Sequence, residues 1–306
     1  MGMSGMYGPS DENESIATIQ AAIDRGITLL DTGDFYGSGH NEMLIGRAIA
    51  GRRNEVLLSV KFGAMRTPNG GWGGIDNRPA ALKNFLAYTL TRLGTDHIDI
   101  YRPSRLDPAV PIEDTVGAIA DLIKAGYVRY VGLSEIGAGA IRRAHAVHPI
   151  IDLQIEYSLV SRGPETSIFP ALRELGIGVT AYGVLSRGLL SGSRPAGKGD
   201  LRAWLPRFAG ENLARNQNLI DALNALATEK GATATQLAIA WVLAQDESIV
   251  PVMGARTRTQ LDESLGALKL KLSPTDLTRI SETIPAADIT GTRYDEHQMR
   301  MLDSER

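Results

Sequence analysis

The feature that most constrains this chain is a rhythm: short β-rich runs alternate with amphipathic stretches almost from end to end. That alternation marks parallel βα units. Seven buried strands are predicted, at Ile27–Asp31, Val56–Lys61, Ile98–Tyr101, Val128–Ser134, Ile151–Tyr157, Ile177–Tyr182 and Ile249–Met253. Helices are predicted around them at about Glu12–Arg25, Asn41–Ala50, Pro79–Leu93, Ile112–Ala125, Ala138–Val147, Pro164–Leu175 and Asn216–Lys230. Gly26, Gly94, Gly126, Gly176 and Gly231 each stand just past a helix, where a left-handed residue closes the ladder of hydrogen bonds.

No linker or low-complexity run divides the 306 residues, and roughly 250 residues of unbroken βα repeats is the size of one barrel. The predicted fold class is therefore α/β, a (β/α)8 TIM barrel forming a single domain over 1–306, with a C-terminal tail over about 285–306. An eighth strand is needed, and the place left for it is ahead of the first helix. Met1–Ser4 reads as the end of such a strand, truncated at the N-terminus. The rival architecture, an open doubly wound sheet, carries G-x-G-x-x-G between strand and helix. Here Gly37-Ser38-Gly39 runs into His40, Asn41 and Glu42, with no third glycine in register.

Charge narrows the function. Lys and Arg number 32 against 35 Asp and Glu, a net charge of -3, which leaves no basic footprint for nucleic acid or an anionic membrane. The absence of cysteine excludes a disulfide scaffold, a thiolate metal site and a cysteine nucleophile, and it fits a reducing compartment. No apolar run approaches the roughly 18 residues of a membrane span. A cytoplasmic protein acting on a small molecule is expected. The five histidines, His40, His97, His145, His148 and His297, form no set at zinc spacing, so no metal is expected.

In a barrel the chemistry sits where strands end and βα loops begin. The strand ends here carry Asp31 with Tyr36 close behind, Lys61, Arg102 with Ser104 and Arg105, Ser134 with Glu135, Gln154 with Glu156, Tyr182, and Gly254-Ala255-Arg256. Taken singly, each has an ordinary explanation as a cap, a loop aromatic or a strand-end charge. Taken together they ask for more. A lysine ending a buried strand needs a partner, and Asp31 on the adjacent strand supplies one. Carbonyl reduction requires a proton at oxygen as hydride reaches carbon, and a phenol serves poorly at neutral pH unless a nearby cation lowers its pKa. Asp31 holding Lys61, and Lys61 tuning Tyr36, make a coherent acid.

At this point the sequence resembles the aldo-keto reductase family over nearly its whole length. Leu30-Asp31-Thr32-Gly33-Asp34-Phe35-Tyr36-Gly37 is similar to the family's D-T-A-x-x-Y-G signature, with Gly33 for alanine, and Lys61 ends the strand that carries the family lysine. Gly132-Leu133-Ser134-Glu135, Gln154 to Ser158, Ala181 to Leu185 and Gly254-Ala255-Arg256 match further. The resemblance implies an NADPH-dependent reductase of a small aldehyde or ketone with Tyr36 as proton donor, backed by Lys61 and Asp31. It further implies that Ser134 and Gln154 hold the nicotinamide amide, Tyr182 stacks on its ring, and Leu185 and Gly254 line the cofactor site. Arg187 is implied near the pyrophosphate, and Arg256, Gln260 and Glu263 at the adenosine end, with Arg256 the charge match for a 2′-phosphate.

The departures are as informative. The family histidine of the fourth strand is replaced: Tyr101-Arg102-Pro103-Ser104-Arg105 puts Ser104 in that place, with a bridging water the expected substitute and both arginines expected to turn toward carboxylates such as Asp107. Glu135 stands for an asparagine, Gly183 for a serine and Ser264 for an asparagine. Substrate contacts are expected from Tyr7, Phe62, Trp72 in the glycine-rich run Asn69 to Gly74, and Trp204. The loop from Ser186 to Ala214, with Arg187, Lys198, Arg202, Trp204 and Arg207, is expected to close over a phosphate. Because Ser104 weakens the catalytic set, a second reading is an NADPH-binding regulatory or redox-sensing subunit that turns over slowly. A third, a phosphosugar barrel, leaves Asp31, Tyr36 and Lys61 without a role.

Overall fold

All seven predicted strands form, within about two residues of their expected ends. In chain order the strands are β1 (Leu29–Gly33), β2 (Leu57–Phe62), β3 (Ala64–Arg66), β4 (Trp72–Ile75), β5 (Ile98–Pro103), β6 (Val128–Ser134), β7 (Ile150–Glu156), β8 (Gly178–Tyr182) and β9 (Ile249–Pro251). The computed structural model describes residues 1–195, 197 and 199–306. Ala196 and Lys198, the latter one of the expected loop cations, lie outside the described residues.

Seven strands run parallel in the order β1-β2-β5-β6-β7-β8-β9, while β3 and β4 pair as an antiparallel hairpin beyond β2. Laid flat, β1 and β7 would stand four strand spacings apart, roughly 19 Å. Gln154 on β7 nevertheless donates to Asp31 on β1 at 2.7 Å, so the sheet curls until strands far apart in order face each other across its interior. The outer layer meets in the same sense: Arg25 pairs with Asp262 at 2.7 Å and Arg258 with Glu14 at 2.9 Å, joining the first helix, Glu12–Asp24, to the helix at Arg258–Leu265. This is the layout of a (β/α)8 barrel.

Local chemistry explains the outer helices. Pro79 and Pro164 open theirs at the first turn, and Gly94 and Gly176 end them with φ near 65° and 67°, the left-handed state that only a residue without Cβ enters freely. Apolar faces then pack inward: Leu58, Val60, Leu133, Leu153 and Ile155 are fully buried, each worth roughly 1.5 to 3 kcal/mol on leaving water. No helix among the described residues is long and apolar enough to cross a membrane.

Two expectations are corrected. Met1–Ser4 does not end a strand; Gly2–Ser4 is a 3-10 turn, because His40 and Asn41 draw the Ser4 hydroxyl to 3.0 and 2.9 Å. The region from Ser186 is not one open loop. It folds into 3-10 turns at Ser186–Ser191, Leu201–Trp204 and Pro206–Phe208, and the next helix starts at Gly210 and runs to Glu229. The helix Ala234–Leu243 escaped detection because it is buried on nearly every side, which erases the 3.6-residue period. Its Trp241 packs 5.6 Å from the Tyr157 ring.

Candidate active site

The register sets the site. Asp31 lies opposite Ser59, Gly33 opposite Lys61, and Lys61 opposite Arg102. Side chains alternate along a strand, so Asp31, Ser59 and Lys61 share the barrel interior. Lys61 Nζ meets Asp31 Oδ2 at 2.5 Å, and Ser59 and Gln154 donate to Asp31 Oδ1 at 3.1 and 2.7 Å. Burial alone would raise this carboxyl, but Lys61 and Arg102 overcome it and hold Asp31 below the usual carboxylate range.

Tyr36 is buried beside this pair, with Lys61 Nζ 5.2 Å from its ring centroid and Phe35 edge-on at 4.7 Å. The net shift is upward: burial, then Asp31, push the phenol well above its ordinary value. In this arrangement Tyr36 is held firmly protonated.

Ser104 is buried, with its Oγ unpartnered among the described residues, while its N–H donates to the Phe62 carbonyl at 2.8 Å. Neither neighbouring arginine turns to Asp107, which instead accepts from the Asn77 and Ala109 N–H groups at 3.0 and 2.9 Å. Arg102 points into the barrel and pairs with Asp152 at 2.9 Å. Arg105 donates to the Ser104 carbonyl at 2.6 Å and reaches the Tyr294 hydroxyl at 3.4 Å.

Tyr294 belongs to a second charged cluster that the sequence reading missed. Glu135 is fully buried with φ 55°, a backbone state that asparagine enters far more readily than glutamate. Arg293 grips it with two hydrogen bonds of 2.9 and 2.6 Å, Ser304 donates at 2.6 Å, Tyr182 at 2.7 Å and the Glu156 N–H at 3.0 Å. Burial would raise Glu135, but these partners, Arg293 foremost, bring it down to about 2. Arg187 pairs with Glu156 at 2.9 Å and lies 4.4 Å from the Tyr294 ring, and the Tyr182 and Tyr294 hydroxyls are 3.1 Å apart. The tail thus caps the mouth. A glutamate where asparagine is usual was the available signal, since a buried carboxylate calls for a cation.

The remaining predicted residues fall into two sets. Arg187, Arg202 and Arg207 fold inward: Arg202 is forked on Asp200 at 2.9 and 2.7 Å, and Arg207 binds Ser161, Ser186 and the Val160 carbonyl. They do not form an open phosphate flap. Phe62 is fully buried and stacked on Tyr101 at 4.2 Å, Tyr7 lies 5.4 Å below Arg202, Trp72 projects from the hairpin, and Trp204 is 68% exposed. At the outer end, the Arg256 N–H donates to Gln260 at 2.8 Å and its guanidinium to the Tyr7 carbonyl at 3.1 Å, while Glu263 accepts from Thr233 at 3.0 Å.

This set fits a dinucleotide. Ser134 is buried with an unpartnered Oγ, and Gln154 spends its amide N–H on Asp31, leaving its carbonyl oxygen unengaged by any described residue. Together they offer a donor and an acceptor to a carboxamide. Leu185 is half-buried, Gly254 faces open space, and Arg256 stays partly exposed, so the outer end has room and a cation. Among the described residues no group of three His, Asp or Glu is placed to hold a metal.

Comparison with known proteins agrees with the fold. The sequence model of the Aldo/keto reductase family matches residues 1–285. A probable aldo-keto reductase 1 of Glycine max is 41% identical over 299 residues, 96% of this chain and 86% of its own length. The NADP(+) aldo-keto reductase yakc of Schizosaccharomyces pombe is 40% identical over 303 residues, 96% of this chain and 89% of its own. A glycerol dehydrogenase structure from Gluconobacter oxydans superposes with a TM-score of 0.83 at 27% identity, covering 98% of this chain and 89% of that one. An aldo-keto reductase from Klebsiella pneumoniae in complex with NADPH gives 0.71 at 26% identity, covering 90% and 86%.

Proposed function

The chain belongs to the aldo/keto reductase family, and from that premise we propose that it reduces an aldehyde or ketone to an alcohol with NADPH, Tyr36 delivering the proton. NADPH, when bound, supplies a hydride to the carbonyl carbon. The chain's part is to place the carbonyl and protonate its oxygen. Tyr36, held protonated by burial, gives its proton to the oxygen as negative charge develops there. Lys61 then lies beside the resulting phenolate and steadies it, while Asp31 keeps Lys61 charged and fixed. Ser134 and Gln154 would hold the carboxamide, Tyr182 would lie along the nicotinamide ring, and Arg256 with Gln260 would meet the adenosine end, where a guanidinium suits a 2′-phosphate. The unpartnered Ser104 hydroxyl supports its use as a donor toward the carbonyl oxygen through a water.

The observation that carries this reading is the buried Asp31–Lys61 pair with Tyr36 5.2 Å from the ammonium. The test is a panel of aldehydes and ketones assayed with NADPH and NADH. Tyr36→Phe is expected to lower turnover by roughly 10² to 10⁴ without loss of NADPH binding; unchanged turnover would remove Tyr36 from the mechanism. Arg256→Ala is expected to weaken NADPH by about 1.5 to 3 kcal/mol and NADH hardly at all. Ser104, by reducing the family's polarising set, also favours the second reading, a sensor that binds NADPH and turns over slowly. Tight NADPH binding with no carbonyl reduced at a useful rate would select it.

A further inference from the structure

Arginine is abundant around the mouth, and Arg102, Arg187, Arg207 and Arg293 each have a carboxylate. Arg102 has Asp152 at 2.9 Å, Arg187 has Glu156 at 2.9 Å, Arg207 reaches Glu156 at 3.5 Å, and Arg293 has Glu135 at 2.6 Å. Arg105 differs. Among the described residues no carboxylate lies within ion-pair distance of it; its neighbours are the Ser104 carbonyl at 2.6 Å and the Tyr294 hydroxyl at a long 3.4 Å. Glu135 acts on Arg105 only from beyond ion-pair distance, and a guanidinium taken out of water with no carboxylate in contact gains when an anion arrives. Five donors in a planar fork are the natural complement of a carboxylate.

Its position ties it to the chemistry. Arg105 directly follows Ser104, whose hydroxyl is buried and unpartnered. Its guanidinium lies 5.9 Å from the Tyr294 ring, and the Tyr294 hydroxyl is 3.1 Å from that of Tyr182. Tyr294 shows the same imbalance from the other side: burial raises its phenol, yet Arg187 and Arg105 together pull it below the ordinary value. The fold has surrounded a neutral group with a field that favours an anion.

We propose that Arg105 receives a carboxylate carried by the substrate, so that the carbonyl compounds this site takes are acids, such as oxo acids or aldehydes bearing a carboxylate. This rests on the reductase reading above and narrows it to a substrate class. The carboxylate takes the fork of Arg105 in place of the long Tyr294 contact, which leaves the one Ser104 donor for the carbonyl oxygen.

Binding tests this without turnover. Benzoate and benzamide, alike in shape and different in charge, are titrated calorimetrically into the full chain with and without saturating NADP(+). Benzoate is expected to bind at least about tenfold tighter than benzamide. Arg105→Gln is expected to abolish the preference and Arg105→Lys to retain part of it, which separates lost charge from lost folding. Equal binding of acid and amide by the wild type, or a preference untouched in Arg105→Gln, overturns the inference. Kinetics then compares 4-carboxybenzaldehyde with its methyl ester, the acid being favoured in KM. A protein that binds benzoate through Arg105 yet reduces no carbonyl keeps the carboxylate site and loses the reductase reading; one that reduces ester and acid alike keeps the reductase reading and loses this one.

Discussion

Two carboxylates at the barrel mouth, Asp31 and Glu135, are both buried and both held below their ordinary pKa, but by different parts of the chain. Asp31 is fixed by Ser59, Lys61 and Gln154, which the strand register places in the barrel itself. Glu135 is fixed by Arg293 and Ser304, which lie beyond residue 285, where the family match ends. One is a property of the fold. The other exists only while the tail is docked, and it determines how Tyr182 and Tyr294 are held over the mouth.

The comparison is broken most severely at Lys61. Lys61→Met strands the Asp31 charge inside the barrel, and removing one partner of a buried pair costs about 3 to 5 kcal/mol. Denaturant unfolding is expected to show that loss, and Asp31→Asn combined with Lys61→Met to restore most of it, because no bare charge remains. A double variant no more stable than the single one would mean that the lysine stem, not the charge, carries the effect.

Arg293→Met is the matching change at the tail, with a smaller expected loss of about 1 to 3 kcal/mol, since the tail can undock and let water reach Glu135. Limited proteolysis between residues 285 and 306 is expected to accelerate. The pH dependence follows from the sign of the shift. Glu135 is held at about 2, below its ordinary 4.5, so its contribution is full above roughly pH 4.5 and disappears as pH falls toward 2. Wild-type tails are expected to become protease-sensitive across that window, while Arg293→Met tails are sensitive throughout. Protection that persists at pH 2 would place the tail's anchorage elsewhere.

The two regions were not equally legible in the sequence. The strands and Asp31, Lys61 and Tyr36 could be read because burial of a parallel strand leaves a continuous apolar run, and a polar residue ending such a run stands out. The helix Ala234–Leu243 was lost for the converse reason: it is apolar all round and shows no face. Arg293 and Tyr294 were unreadable because their meaning lies in distant contacts, Arg293 with Glu135 and Tyr294 with Tyr182 and Arg105, and nothing local in Gly291-Thr292-Arg293-Tyr294 announces them. Lys61 lies beside Tyr36, yet the phenol's net shift is upward, since sequence shows that charges are near but not how deeply the phenol is buried.

Asp34 sharpens the contrast with the smallest effect, because it is a mouth carboxylate that neither region supplies with a cation. It sits in the loop that carries Tyr36, with one carboxylate oxygen buried and unpartnered among the described residues. Arg92 is nearby but donates to Glu42 instead. Burial, then the Glu42 charge, push Asp34 up to about 7, against Arg92, the Phe35 N–H and Lys61, which act in the opposite direction. A carboxyl whose folded pKa is raised above its ordinary 3.8 contributes stability that is full below that value and lost as pH rises through the folded one. Asp34→Asn keeps the shape and removes the titration. The melting temperature of the wild type is therefore expected to fall relative to Asp34→Asn between about pH 4 and pH 7 and to run parallel above it. Discounted for partial exposure, the difference should be on the order of 1 kcal/mol, or about 2 °C in a chain of this size. A constant offset across that range would mean that Asp34 stays ionised, with Arg92 or Lys61 serving it after all, and that every carboxylate at this mouth has its cation.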